Sequence, residues 1–181
     1  MVFDRNAITL GRTILDFGLG DLQGAYQNTA RLRGKGWLLA LFFSPSDPNS
    51  AQATNILQAW TSELPGDKVS LLGISIGERP QVEEFAKAHN LTFPIVWDYE
   101  EYVATIWSIT AIPTLFLTDI GGHVLAKIEG ANAAKYDEAK SQLLEGIKKA
   151  EEAARAAAEA KAAADAAKAA EAAKEPAAAK K

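Results

Sequence analysis

Trp37-Leu38-Leu39-Ala40-Leu41-Phe42-Phe43-Ser44-Pro45-Ser46-Asp47-Pro48-Asn49-Ser50 passes within a few positions from an unbroken apolar run to a cluster of helix-starting residues. An apolar run of strand length without polar alternation predicts a central strand covered on both faces. Beyond it, Ala53, Ile56, Leu57, Trp60 and Leu64 recur at helical spacing, and Pro65-Gly66-Asp67 ends that helix. Val69-Ser70-Leu71-Leu72-Gly73-Ile74-Ser75-Ile76 is a second run of the central-strand kind. Strand, helix and strand in this order predict an α/β domain.

The alternation continues. A second helix begins around Pro80 with Val82, Phe85 and Ala86 inward, and a short strand lies around Phe93–Trp97. A short third helix holds Tyr102, Val103, Ile106 and Trp107. Thr114–Asp119 and His123–Ile128, joined through Ile120-Gly121-Gly122, read as a β-hairpin. Residues 8–34, rich in glycine and turn signals, read as an N-terminal hairpin leading into the first central strand.

Composition narrows the function. The 181 residues, 48% hydrophobic, allow one domain with a sizeable core plus an appendage. A net charge of −4 offers no footprint for nucleic acid, which needs clustered Lys and Arg against phosphates. Met1-Val2-Phe3-Asp4-Arg5-Asn6 lacks a basic region followed by an apolar run, and no stretch approaches the roughly 18 apolar residues of a membrane span. A soluble, cytoplasmic protein without direct membrane insertion is expected, unless a signal segment has been trimmed. There is no cysteine, which leaves the redox compartment open and closes thiol chemistry, since exchange requires a thiolate.

Composition breaks near residue 150. From Ala150 to Lys181, 19 of 32 residues are alanine, with six basic and six acidic, so the tail is neutral and the front carries the net charge. Alanine has the highest helix propensity, and Glu151/Arg155, Lys161/Asp165 and Asp165/Lys168 stand at spacings where opposite charges meet on a helix. A helix is expected until about Pro176. Tyr136, Leu143, Leu144 and Ile147 predict that its first part docks on the core. From Ala134 to Glu175 it would run about 60 Å. The outer part has no Leu or Ile stripe, which argues against an ordinary coiled coil. The division is 1–148 for the domain and 149–181 for the tail.

Leu15-Asp16-Phe17-Gly18-Leu19-Gly20-Asp21-Leu22-Gln23-Gly24, Gly34-Lys35-Gly36, Phe42-Phe43-Ser44-Pro45, Ala111-Ile112-Pro113-Thr114 and the Asp119–Gly122 turn follow one another in an order that resembles the redoxin branch of the thioredoxin-like superfamily. That branch includes peroxiredoxins, alkyl hydroperoxide reductases and thiol-disulfide oxidoreductases. The resemblance covers about residues 9–148. It implies a thioredoxin-like three-layer α/β fold with a central mixed sheet and an N-terminal hairpin, here followed by a long alanine-rich C-terminal helix. The departure is at the reactive centre. Aligned as a thioredoxin, the chain has Asp47 and Ser50 at the cysteine positions; aligned as a peroxiredoxin, it has Asn49 for the Thr or Ser and Gln52 for the peroxidatic Cys. Engineered removal of cysteines explains Ser50 more readily than Asp47, so a lineage that lost redox chemistry is preferred. The resemblance further implies a cis proline at Pro113 beside the old centre, with preceding backbone groups able to pair with an extended peptide.

The residues of this vestigial groove are Ser46, Asp47, Pro48, Asn49, Ser50, Trp107, Ile112, Pro113 and Thr114. Asp47 as helix cap and Pro48 at the first helical position give a sufficient structural account. The rival role for Asp47, nucleophile or general acid, lacks a second catalytic carboxylate or a Mg²⁺ motif. His89 and His123 are isolated and predict no metal site. Gly73, Gly77, Gly121 and Gly122 form no phosphate-binding fingerprint, so no cofactor is expected. Trp37, Trp60, Trp97 and Trp107 all fall in core elements. The expectation is a non-catalytic module that binds a protein partner or joins a larger assembly, with the tail as arm, spacer or anchoring element. The alternative is an enzyme with non-thiol chemistry at Asp47.

Overall fold

The computed structural model describes residues 8–172; the expected helix end at Pro176 and the reading of the first six residues lie outside them. Strands β1 (Gly18–Gly20) and β2 (Tyr26–Asn28) form the antiparallel N-terminal hairpin. Its turn is built around Asp21, whose carboxylate accepts the Gln23 and Ala25 amides at 3.0 and 2.8 Å and the Gln27 side chain at 2.8 Å. The Leu22 amide then bonds the Ile95 carbonyl, tying the hairpin to the main sheet. A helical turn not anticipated from the sequence follows, α1 (Thr29–Arg33), capped by the Asn28 side chain on the Arg31 amide.

The main sheet contains β3 (Trp37–Phe43), β4 (Val69–Ser75), β5 (Ile95–Trp97), β6 (Thr114–Thr118) and β7 (Val124–Glu129) in the order β5-β4-β3-β6-β7. β3, β4 and β5 are parallel, joined through α2 (Ser50–Glu63) and α3 (Arg79–Ala88). β6 runs antiparallel to β3 and returns through the expected hairpin to β7, so the sheet is mixed. Between β5 and β6 stands α4 (Tyr102–Ile106), and after β7 comes α5 (Ala133–Ala172).

Successive side chains of a strand point to opposite faces. One face of β3 presents Leu38, Ala40 and Phe42, which join Ile14, Phe17, Ile74, Val103, Trp107 and Phe116 in a single core cluster. The other presents Leu39, Leu41 and Phe43, all without exposure, and Phe43 stacks on Phe85 of α3 at 5.5 Å. On that side Trp60 of α2 meets Tyr136 of α5 at 6.1 Å. A Cβ on Gly73 would lie 3.0–3.1 Å from Phe93, Ile95 and Phe43, so this glycine serves close packing between the strands. Of the four tryptophans read as core, Trp60 and Trp107 are buried while Trp37 and Trp97 are half-buried, because the latter two stand at strand ends.

The described residues divide into two compact units, the first ending at Lys140 and the second beginning at Ser141. In the first, Lys140 pairs with Glu63 and lies over the Trp60 ring. In the second, Leu143 and Ile147 are buried, but Leu144, expected inward, is 41% exposed, since one helical position turns a side chain about 100°. Residues 148–171 are exposed throughout, with Arg155 reaching Glu159 at 3.8 Å. No helix among the described residues is long and apolar enough to cross a membrane.

The β6–β7 turn contains an acid held in its charged form. Partial burial pushes the Asp119 carboxyl up, but hydrogen bonds from the His123 amide and ring, the charge of His123 and the Gly121 amide outweigh it and leave the group below its ordinary value. A depressed carboxyl stabilises the fold above its unfolded pKa of about 4, and that contribution is lost as pH falls through the lower folded value. Asp119→Asn is expected to be less stable than the parent at pH 5–7, with the gap closing below about pH 4 in urea unfolding measured across pH; a gap constant from pH 3 to 7 would contradict this.

Candidate functional site

The carboxyl ends of parallel strands are where an open α/β sheet holds its ligands. Here that edge is made by Phe43, Ser75 and Trp97, which share one register across β3, β4 and β5. Phe42 faces Thr114, so the start of β6 and the Ile112–Pro113 peptide, which is cis, reach the same edge. The sheet therefore brings the Ser44–Ser50 segment and the Ile112–Thr114 segment together at one end.

Between β3 and α2 the chain turns through a compact hydrogen-bonded bracket. The Asp47 amide bonds the Ser44 carbonyl at 3.0 Å and the Ser50 amide bonds the Asp47 carbonyl at 3.2 Å. The Ser50 hydroxyl donates to Asp47 Oδ2 at 3.0 Å and accepts the Ser44 amide at 3.1 Å. Asp47 Oδ2 also accepts the Asn49 amide at 3.0 Å. Ser44 and Ser46 share a bond between hydroxyls at 2.9 Å.

This geometry corrects the expected helix start. α2 begins at Ser50, Asn49 occupies the cap position without a side-chain bond, and Asp47 and Pro48 precede the helix. Asp47 still accepts a backbone amide, but as part of the turn. The physical reason is that the Ser50-to-Asp47 backbone bond spans only three residues, a tighter turn than an α-helix makes.

Other expected groove residues lie under the surface. Ser50 is without exposure, Thr114 is buried with its hydroxyl donating to the Ala111 carbonyl at 2.6 Å, and Pro113 is buried with its carbonyl accepting the Gly130 amide. Trp107, expected both in a core element and beside the groove, sits in the core beneath the edge, not on it. Its ring packs against Phe17, Phe42 and Phe116 at 5.9, 5.4 and 5.1 Å, and its indole N–H donates to the Leu15 carbonyl at 2.8 Å. Ser46, Pro48 and Asn49 are exposed, and Asp47 and Ile112 half-buried. The Ile112 amide and carbonyl make no hydrogen bond among the described residues. A shallow depression lined by Pro45, Ser46, Gln81, Glu84, Phe85 and Ala88 adjoins the bracket.

Chemically, the bracket holds one carboxylate oxygen, Asp47 Oδ2, and a hydroxyl that are bonded to each other and to the backbone. The Ser50 hydroxyl has a carboxylate on one side, an amide on the other, and no exposed surface through which to meet a substrate. No group of three His, Asp or Glu side chains suited to a metal gathers among the described residues. His89 contacts Asn55 at 3.2 Å and stacks on Phe85, and His123 pairs with Asp119.

Two features of this edge were missed from the sequence. Asp98 is buried and caps α4 through the Val103 and Ala104 amides at 3.0 and 2.9 Å. Tyr99 and Tyr102 flank it and are 67% and 60% exposed. Alternation of aromatic and acidic residues from Trp97 to Tyr102 was the available signal.

A sheet of this order, with a cis proline facing a strand-to-helix turn, defines a thioredoxin-like protein, and the turn lacks thiols. The chain belongs to the AhpC/TSA family, whose model matches residues 10–127. It is 32% identical over 146 residues to the thiol-disulfide oxidoreductase ResA of Geobacillus thermodenitrificans, covering 80% of this chain and 82% of that protein. It is 36% identical over 100 residues to sporulation thiol-disulfide oxidoreductase A of Bacillus subtilis, covering 44% of this chain and 60% of the relative. A putative protein disulfide isomerase from Bacteroides thetaiotaomicron shares the fold with a TM-score of 0.71 at 19% identity, over 78% of this chain and 91% of that one. Peroxidoxin BcpB from Mycobacterium tuberculosis does so at 0.66 and 22% identity, over 75% and 96%.

The bracket predicts the effect of its removal. Asp47→Ala is expected to lower unfolding free energy by about 0.5–2 kcal/mol, as for a lost helix-terminus acceptor, and Asp47→Asn by less, because the amide oxygen still accepts. Chemical denaturation of the three proteins checks this, and equal stability of all three would contradict it.

Proposed function

We propose that this chain is a non-catalytic thioredoxin-like module for protein interaction or assembly, in which the domain docks on a partner and the helical segment from about residue 149 acts as an arm. The observation that carries the reading is the Ser44–Asp47–Ser50 bracket. At the position where the family resemblance places a cysteine pair, two side chains are bonded to each other and to the backbone. Thiol-disulfide exchange needs a thiolate, and the chain has no cysteine to supply one.

Two further features support the reading. The half-buried Ile112, with its backbone groups unengaged by the described residues, offers a short stretch of edge of the kind that pairs with an extended peptide. Residues 148–171 are exposed along the helix, and small side chains permit the close approach of another surface. A cytoplasmic location belongs to the same proposal, and fractionation of the native source checks it.

The purified chain is expected to show no reduction of insulin disulfides and no turnover of hydrogen peroxide above a cysteine-free control. The full chain, immobilised and exposed to extract of its native source, is expected to retain a defined partner that residues 1–150 retain more weakly, with both forms unfolding at the same temperature. Turnover that depends on Asp47 in any hydrolytic or transfer assay would overturn the proposal. Equal partner retention by both forms would remove the arm from it.

A further inference from the structure

Six consecutive residues, Trp97-Asp98-Tyr99-Glu100-Glu101-Tyr102, contain only aromatic and acidic side chains. They leave the carboxyl end of β5 and enter α4, on the rim of the edge that carries the Ser44–Ser50 bracket. The Trp97 and Tyr99 rings are held, and the two tyrosines are open to water. The Trp97 indole N–H donates to the Gly77 carbonyl at 2.7 Å, and Gly77 in turn packs close to Pro45 and Ser44, where an added Cβ would lie 3.6 and 3.8 Å away. Tyr99 tilts by 60° against Trp97 with ring centres 4.9 Å apart. Tyr99 and Tyr102 are nonetheless more than half exposed, although burial is what normally recovers the desolvation of a large ring.

The charges divide into two roles. Asp98 is buried and engaged by the Val103 and Ala104 amides, so it fixes the loop. Glu100 and Glu101 are exposed between the two open tyrosines, and no Lys or Arg occurs from Trp97 to Ile106. A cation already lies at one end of this loop. The Arg79 guanidinium stands 5.9 Å from the Trp97 ring centre while its Nε bonds Glu83 at 2.8 Å, a cation held by a ring face and a carboxylate together.

We propose that the Trp97–Tyr102 loop is a docking site for a lysine- or arginine-rich segment of a partner polypeptide, with cationic side chains lying on the open tyrosine rings and paired with Glu100 and Glu101. This inference rests on the interaction-module reading and names the chemistry of the partner. The rings are too exposed to enclose a single small cation. A polypeptide overcomes this by presenting several cations at once, so that individually weak contacts act together.

The test uses the full chain labelled with ¹⁵N, at physiological ionic strength to screen diffuse attraction, titrated with an end-blocked decalysine peptide and with decaglutamine of equal length. Decalysine is expected to shift the Trp97 indole signal and the amides of residues 98–102, and decaglutamine to leave them in place. The pair Tyr99→Ala/Tyr102→Ala, which leaves net charge unchanged, is expected to weaken decalysine by about fivefold, the range of one or two exposed cation–π contacts, and the pair Glu100→Gln/Glu101→Gln by about fivefold, within the range of two exposed ion pairs. All four side chains are exposed, and an unchanged thermal midpoint verifies the fold of each variant. Decalysine binding that ignores the tyrosine pair, maps to another surface or is matched by decaglutamine would overturn the proposal. A native partner retained equally by the parent and both variants would also overturn it while leaving the interaction-module reading intact. If decalysine binds as expected but no native partner is retained by the parent chain, the module reading fails and the cation site stands.

Discussion

A hydroxyl buried at the start of a helix must be satisfied by protein, and the way Ser50 is satisfied organises the whole edge of the sheet. It donates a hydrogen bond to Asp47 and accepts one from the Ser44 amide, so the first residue beyond β3 is tied to the first residue of α2. An unpaired buried polar group costs about 1–3 kcal/mol, so the buried Ser50 hydroxyl favours the turn that pairs it. With the junction fixed, α2 can place Ala53, Leu57 and Trp60 against the sheet. The Ile76 amide meets the Phe43 carbonyl, and Gly77 lies against Pro45. The polar residues of this turn thus serve as a joint between strand and helix.

That joint separates fold from chemistry. Relatives with about a third of the sequence in common bear the names of thiol-disulfide oxidoreductases, so the scaffold is shared across proteins whose names imply a thiol reaction. A thioredoxin-like sheet needs nothing from a cysteine for its stability. Its core is the two apolar faces of β3, and both are filled here: Leu38, Ala40 and Phe42 on one side, Leu39, Leu41 and Phe43 on the other, all without exposure. Function on such a scaffold has to be argued from the site. In this chain the site offers bonded side chains, a short open backbone stretch at Ile112, and an aromatic rim.

Much of the fold was legible in the sequence because its signals are local. The unbroken runs at Trp37–Phe43 and Val69–Ser75 identify doubly covered strands, and Gly121-Gly122 between apolar segments marks the hairpin. The misses have tertiary causes. α1 is one turn ended by Gly34, too short for a period, and is held by Thr29 bonding the Phe17 amide and Asp16. Asp47 matches cap preferences, which predict a helix start there; the tighter turn delays it to Ser50. Trp107, just past the end of α4, was expected both in the core and beside the groove, and spacing alone does not choose between the two. Only the meeting of Phe17, Phe42 and Phe116 around Trp107 decides it.

The account stands or falls on whether Asp47 and Ser50 act as one structural unit, and a double-mutant cycle measures this directly. Unfolding free energies of the parent, Asp47→Ala, Ser50→Ala and the combined variant are expected to give a coupling of about 0.5–3 kcal/mol, the range for side chains sharing a hydrogen-bond network. Costs that add to within about 0.3 kcal/mol would show two independent side chains and contradict the joint.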